Sequence, residues 1–382
     1  MIKALGRSEY NPANAMPLSG VEYHRQYMPW EYMRNAGPLD FNFNFDGKNL
    51  HKQDDTTIDL SEFDLYHVVR KDVKVVNDKW TDAGNMLKVK EYGLPIIIDF
   101  DDLWRLDTTH ALYSYYRDNR VDELSILWME RADHVTTTTP RLAEHIRKYN
   151  NNVTVIPNAL HPLLPQFAWS LPDKPALQFW EDPSKNERNR LPNIGWCGSI
   201  HHVNDLTLLN EYFRKYWASN LCKQSNLILG GFLPEQPHYQ HIAQIMAGGR
   251  NNPLKIINAL PVEQYATMYK YFDIALVPLA DNEFNRCKSE LKIIEAGHFG
   301  IPVIASNVYP YNTVIEHGYN GYLISNSKDC HKQWLKYTQE LVNDPVLRYH
   351  MGQNLKRTIL DKFNIAKSNE IRFNLYRKLC KK

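Results

Sequence analysis

Short apolar runs alternate with amphipathic stretches along nearly the whole chain. In the first half, DLYHVVR (64–70), LPIIIDF (94–100), HVTTTT (134–139) and VTVIPNA (153–159) are apolar or β-branched runs of strand length. RVDELSILWMERA (120–132) and TPRLAEHIRKY (139–149), which lie between them, carry helical spacing. The second half repeats the rhythm with NIGWCGS (193–199), SNLILGG (225–231), LKIINA (254–259), DIALVPL (273–279) and IPVIAS (301–306). Strands alternating with helices predict parallel sheets covered on both faces, so the fold class is α/β. HPLLPQFAWSLPDKPALQFWEDPSKNERNRLP (161–192) is rich in proline and charge and lacks a period, which marks a linker over 166–192. The expected organisation is a Rossmann-like domain at 1–165, a second at 193–365, and a closing helix at 366–382 with a basic end.

Length and charge narrow the function classes. The chain has 382 residues, enough for two domains with full cores. Its formal net charge of +2 argues against bulk duplex DNA as a partner. Five scattered cysteines form no C-x-x-C and no paired spacing with histidine, so neither a disulfide framework nor a structural zinc is expected. With no signal-like apolar core and no run of 18 apolar residues, the expectation is a soluble cytoplasmic protein with no integral membrane segment.

The densest candidate chemistry lies in FNRCKSELKIIEAGHFGIPVIAS (284–306). The pattern predicts a helix capped near Asn285 and ended by Gly297 and Gly300, with Arg286 and Lys288 in its first turn and Lys292 one turn later. A helix N-terminus already carries about half a positive charge. Cations placed there cost stability unless an anion answers them, which points to phosphate. Glu295 follows Lys288 at i+7 on the same face. Cations at one end and a carboxylate two turns on suit a nucleotide diphosphate with its ribose.

These residues resemble the donor-site signature of family-four glycosyltransferases of the GT-B fold, in which two glutamates with seven residues between them precede a G-x-P-V-I-A-S strand. The resemblance covers nearly the whole chain through the collinear order of its pieces. It implies two Rossmann-like domains facing each other across a cleft, an N-terminal acceptor domain and a C-terminal donor domain. Glu295 falls on the second glutamate, which in the family grips the ribose hydroxyls. Cys287 stands at the first, which normally contacts the transferred sugar, so Asn285 or Lys288 takes over part of that role. The arginine and lysine that many relatives carry after the first glycine of the donor domain are absent. Instead Gly198, Ser199, His202 and Asp205 match a bacterial and phage sub-branch with G-S-x-x-H-x-x-D. Gly198 and Ser199 offer donors to a phosphate, and His202 either holds the loop with Asp205 or caps the following helix.

In the first half, Asp99, Asp101 and Asp102 sit at the end of a buried strand, where ligands of open α/β sheets bind. Asp101 or Asp102 either polarises an acceptor hydroxyl, fixes the loop bearing His110 and Tyr113, or caps a helix. A D-x-D-D metal motif is the less favoured reading, and no metal or cofactor is expected beyond the nucleotide sugar as co-substrate. By resemblance His110 is the candidate for the histidine near the anomeric carbon. In SGVEYHRQYMPWEYM (19–33), Gly20 allows close approach of substrate, while Arg25 either faces phosphates or pairs with an acid. Trp104, Tyr113, Tyr115 and Tyr116 stack on a sugar or base, or fill the core.

The implied function is transfer of a sugar from a nucleotide-diphosphate donor, UDP among the candidates, to a hydroxyl of a glycan or surface-polysaccharide precursor. Retention without a metal is the family expectation, with Lys288, His110 and Asp102 as candidate catalytic residues. An inverting enzyme with Asp102 or His110 as base, a phage-type transferase acting on hydroxymethylated pyrimidine in DNA, and an inactive nucleotide-sugar-binding scaffold are the alternatives.

Overall fold

The computed structural model of the chain describes residues 1–7, 19–35, 40–46, 59–70, 74–76, 79–81, 86–168 and 190–381. Most of the segment expected as a linker, 169–189, lies outside the described residues. The chain forms two compact units. The first comprises Met1–His161, Cys287–Ser289 and Phe363–Lys382, and the second Pro162–Arg286 and Glu290–Lys362.

The first unit is built on a parallel sheet of β1 (Ile2–Arg7), β2 (Phe41–Asp46), β3 (Leu65–Val69), β6 (Ile96–Phe100), β7 (His134–Thr137) and β8 (Val153–Val155), in the order β2-β1-β3-β6-β7-β8. A small antiparallel hairpin pairs β4 (Lys74–Val76) with β5 (Lys79–Thr81). Every residue of β3 and β6 is buried, which explains why both are apolar but for His67 and Asp99. The register sets Ala4 against Leu65, Tyr66 against Ile96 and Ile97 against His134.

A charged group lies in the middle of this core. Arg25 and Asp99 are both 1% exposed and meet through two parallel bonds, Nε to Oδ1 and Nη2 to Oδ2, each 2.8 Å. Arg25 Nη1 also donates to the Ile156 carbonyl at 2.7 Å and to Asn158 Oδ1 at 3.0 Å, while Thr136 Oγ1 donates to Asp99 Oδ2 at 2.6 Å. Arg25 is therefore an interior ion-pair partner, the second of the two roles its sequence leaves open. Burial works to raise the Asp99 carboxyl, but the Arg25 charge and hydrogen bonds hold it below the usual range. Burial lowers His67 to about 3, leaving it neutral.

The C-terminal helix Ile365–Leu379 completes this unit. Asn364 caps it, accepting from the backbone N–H of Ala366 at 2.9 Å. The Tyr376 hydroxyl accepts from Trp30 Nε1 at 2.9 Å and lies 2.7 Å from His67 Nδ1. Leu375 and Tyr376 pack into one cluster with Ile2, Trp30, Phe41, Leu65 and Ile97.

The second unit carries a parallel sheet of β9 (Asn193–Cys197), β10 (Asn226–Phe232), β11 (Lys255–Asn258), β12 (Ile274–Val277), β13 (Val303–Ser306) and β14 (Gly321–Ile324), in the order β11-β10-β9-β12-β13-β14. The strand order reverses between β9 and β12. In open α/β sheets such a reversal opens a crevice at the carboxyl ends of the two strands, and ligands bind there. Two six-stranded parallel sheets, each with the helices of an α/β unit, match the expected fold class. Among the described residues no helix is long and apolar enough to cross a membrane.

Candidate nucleotide-sugar site

The segment after β12 departs from the single helix that its sequence predicts. It forms two pieces, Glu283–Arg286 and Leu291–His298, separated by four non-helical residues. The interruption has a tertiary cause within the first unit. Thr139 Oγ1 donates to the Cys287 carbonyl at 3.1 Å, engaging it outside any helical ladder, and Asn158 Nδ2 donates to Ser289 Oγ at 2.9 Å and holds the segment in place. Helix restarts where the Glu290 carbonyl accepts from Ile293 and Ile294. Lys292 is consequently the cation of its first turn, while Arg286 and Lys288 lie before it. Gly297 sits inside the helix, where a Cβ would lie 2.5 Å from Ile359 Cγ1, and Gly300, at φ +70°, is the residue that ends it.

Lys292 reaches back to the crevice. Its Nζ donates to the Cys197 carbonyl at 3.0 Å, lies 5.0 Å from the Trp196 ring centroid, and would be 2.7 Å from a Cβ at position 198. A side chain at 198 would displace the tip of the lysine, and the ammonium sits beside the Gly198–Ser199 loop. The loop is tied to the end of β12 by Asp205, which is 3% exposed. Its Oδ2 pairs with His202 Nδ1 at 2.8 Å, and its Oδ1 accepts from Ala280 N at 2.9 Å and Asn285 Nδ2 at 2.7 Å. Asn285 also donates to the Ala280 carbonyl at 2.9 Å, so its amide is committed to bracing the loop and does not take over the role of a sugar contact. Arg286 pairs with Asp281 at 2.7 Å on the surface.

Glu295 lies further along the Lys292 helix. It is 1% exposed, accepts from the Tyr265 hydroxyl, and burial pushes its carboxyl well above the usual range. Tyr265 carries no spacing signal, being one of 23 tyrosines. Glu290 was likewise unmarked. Burial pushes it up to about 7 from an ordinary 4.5, against its own backbone hydrogen bond and the Lys362 charge. The folded state then holds a proton that the unfolded chain releases near pH 4.5, so stability falls as pH rises from 4.5 to 7 and levels off above. Glu290→Gln should stabilise the chain by about 3 kcal/mol at pH 8 and by almost nothing at pH 4. Urea denaturation at the two pH values measures the difference.

The first unit gathers its own candidates. Arg70 pairs with Asp101 and lies 3.3 Å from Asp102, and Lys288 Nζ lies 3.4 Å from Asp102 Oδ1. Lys288 and Asp102, two of the three candidate catalytic residues, are thereby brought together. His110 lies on the turn before the helix Tyr113–Asp118, its Nδ1 accepting from Leu112 N at 3.1 Å. Trp104 is buried against Phe100 and Tyr149, so it fills core, whereas Tyr115 is exposed. Gly20 opens a helix capped by Ser19, and the space a Cβ would take there is open. Within each unit by itself, the described residues bring no three His, Cys, Asp or Glu ligand atoms within coordinating range of one another.

Two Rossmann-like units, one with a lysine and a carboxyl on the helix beside its crevice, are the building blocks of the GT-B fold, the class that the solved structures share. Residues 191–344 match the family model of the group 1 glycosyl transferases. No curated protein matches the chain. Among solved structures the chain is similar to a sucrose-phosphate synthase (tll1590) from Thermosynechococcus elongatus, with a TM-score of 0.67 at 14% identity over 99% of each chain. It is similar too to a glycosyltransferase from Rickettsia africae, with a TM-score of 0.64 at 13% identity over 100% of this chain and 99% of that one. HepE (Alr3699) of Anabaena, in complex with UDP-glucose, gives 0.63 at 14% identity over 98% and 99%. Residues 191–344 thus carry a segment like that of the group 1 glycosyl transferases, on a chain whose fold is that of the GT-B structures.

Proposed function

We propose that the second unit binds a nucleoside-diphosphate sugar at the carboxyl ends of β9 and β12, and that the chain transfers the sugar, with retention and without a divalent ion, to a hydroxyl of a glycan acceptor. The observation that carries the reading is Lys292 crossing Gly198 at the crevice, with Glu295 on the same helix. The lysine and the loop N–H groups of Gly198 and Ser199 face the diphosphate, and Glu295 takes the ribose. As the bond from the anomeric carbon to the diphosphate oxygen breaks, negative charge collects on that oxygen, and a fixed ammonium stabilises it more than it does the bound donor. The departing diphosphate accepts the proton of the incoming hydroxyl while the new glycosidic bond forms on the same face.

The chain lacks the basic pair common after the first glycine of the donor domain, and Lys292 supplies that charge from the other wall. Lys288 is the nearest further cation in sequence, and its ammonium is shared with Asp102. The bound UDP-glucose of the Anabaena neighbour makes UDP the first nucleotide to try. Thermal-shift measurements with UDP, GDP, ADP and dTDP, with and without EDTA, test the reading. One diphosphate should raise the melting temperature regardless of EDTA, and Glu295→Ala should abolish the shift. Absence of any shift, or a shift that EDTA removes, would overturn the reading or its metal independence respectively.

A further inference from the structure

We propose that Tyr265 is a positioning residue that fixes the Glu295 carboxyl for the vicinal diol of a ribose, and so makes the site select ribonucleotides over 2′-deoxyribonucleotides. The inference rests on the nucleotide reading of Glu295 given above. Tyr265 opens the short helix Tyr265–Tyr271 that follows β11, and its hydroxyl donates to Glu295 Oε1. The two oxygens of a carboxyl group carry lone pairs enough to accept from a phenol and from a hydroxyl of the diol together. What the phenol removes is rotational freedom of the carboxyl, which otherwise must be ordered when the ribose arrives.

Tyr265 is itself held from both sides. Gln166, 2% exposed, donates through Nε2 to the Val262 carbonyl at 3.2 Å and accepts through Oε1 from Ala266 N at 3.2 Å. One buried amide thus brackets the backbone before and after the tyrosine. From the same short helix, the Tyr269 hydroxyl donates to the Lys292 carbonyl at 3.4 Å, a second bond onto the helix that bears Glu295. Two tyrosines and one glutamine set the distance between this segment and the carboxyl, a degree of constraint that packing alone does not require. A site whose buried polar groups are arranged to meet a hydroxyl discriminates strongly against the analogue lacking it, because those groups are then left unmatched.

The test compares UDP, GDP and ADP with their 2′-deoxy counterparts by isothermal titration calorimetry on the full chain. For the nucleotide that binds, the wild type should prefer the ribo form by on the order of 10-fold or more. Tyr265→Phe keeps the ring and removes the hydroxyl. It should bring the ratio to within about 3-fold, read beside a nucleotide-free melting temperature that falls only by the loss of one donor to a buried carboxyl. Glu295→Gln should also reduce the ratio. If the wild type binds no nucleoside diphosphate, the reading of the site falls and this proposal with it. If it binds but fails to discriminate, or if Tyr265→Phe discriminates as the wild type does, the proposal alone is overturned.

Discussion

Asp99→Asn should destabilise the chain by about 3–5 kcal/mol, the largest loss expected from any single isosteric change in the first unit. The carboxylate accepts from Arg25 twice and from Thr136 once, with both charged partners 1% exposed. An asparagine preserves the volume but leaves the guanidinium charged in a core that no longer answers it. Such a pair adds little over apolar packing when intact, and the penalty arises when one member is removed. The double variant Arg25→Met with Asp99→Leu should therefore be more stable than Asp99→Leu alone. The acid limb gives a second check. Because the folded carboxyl lies below its ordinary 3.8, the pair's contribution is present above that pH and is lost as pH falls through the folded value. Urea midpoints of the wild type and Asp99→Asn should converge below pH 4. A midpoint for Asp99→Asn equal to that of the wild type at pH 7 would show that the pair does not hold the core.

Lys292→Met should lower kcat/KM by on the order of 10²-fold or more, the range found when a preorganised donor to a developing oxyanion is removed. Methionine retains an apolar stem against Trp196, so the loss is of charge rather than packing. Stability should change little, since the ammonium donates to a backbone carbonyl at the end of β9 rather than to a buried charge. Steady-state kinetics with the donor identified by thermal shift, beside urea denaturation of the same preparation, separates the two effects. A variant that turns over at the wild-type rate would remove Lys292 from the catalytic account and leave it a brace for the Gly198 loop.

The strands were legible where both faces are covered. β3, β6 and β10 are mostly buried and mostly apolar, and such a run announces itself. β2, FNFNFD, alternates at the sheet edge, and β14 has only four residues, too few for a period to emerge. The donor helix shows a different failure. Its apolar spacing runs on past Asn285, and what breaks it is a pair of bonds from Thr139 and Asn158, more than a hundred positions earlier. No local cap could signal that. In the site, Lys292 and Glu295 were visible because charge at a helix start and a carboxyl at helical spacing carry chemistry on their face. Tyr265 was not, since a tyrosine among many gains meaning only from the carboxyl it touches. Arg25 was left between two roles for a similar reason, its partner lying 74 positions away.

The closing helix Ile365–Leu379 gives the chain an order of assembly. All of the second unit lies between residues 162 and 362, whereas the first unit takes its final wall from 363–382. During synthesis from the N-terminus, the strands encoded first must wait, with Trp30 and His67 lacking Tyr376, until the whole of the later unit has emerged. The part of the protein that is made second is the part free to fold first.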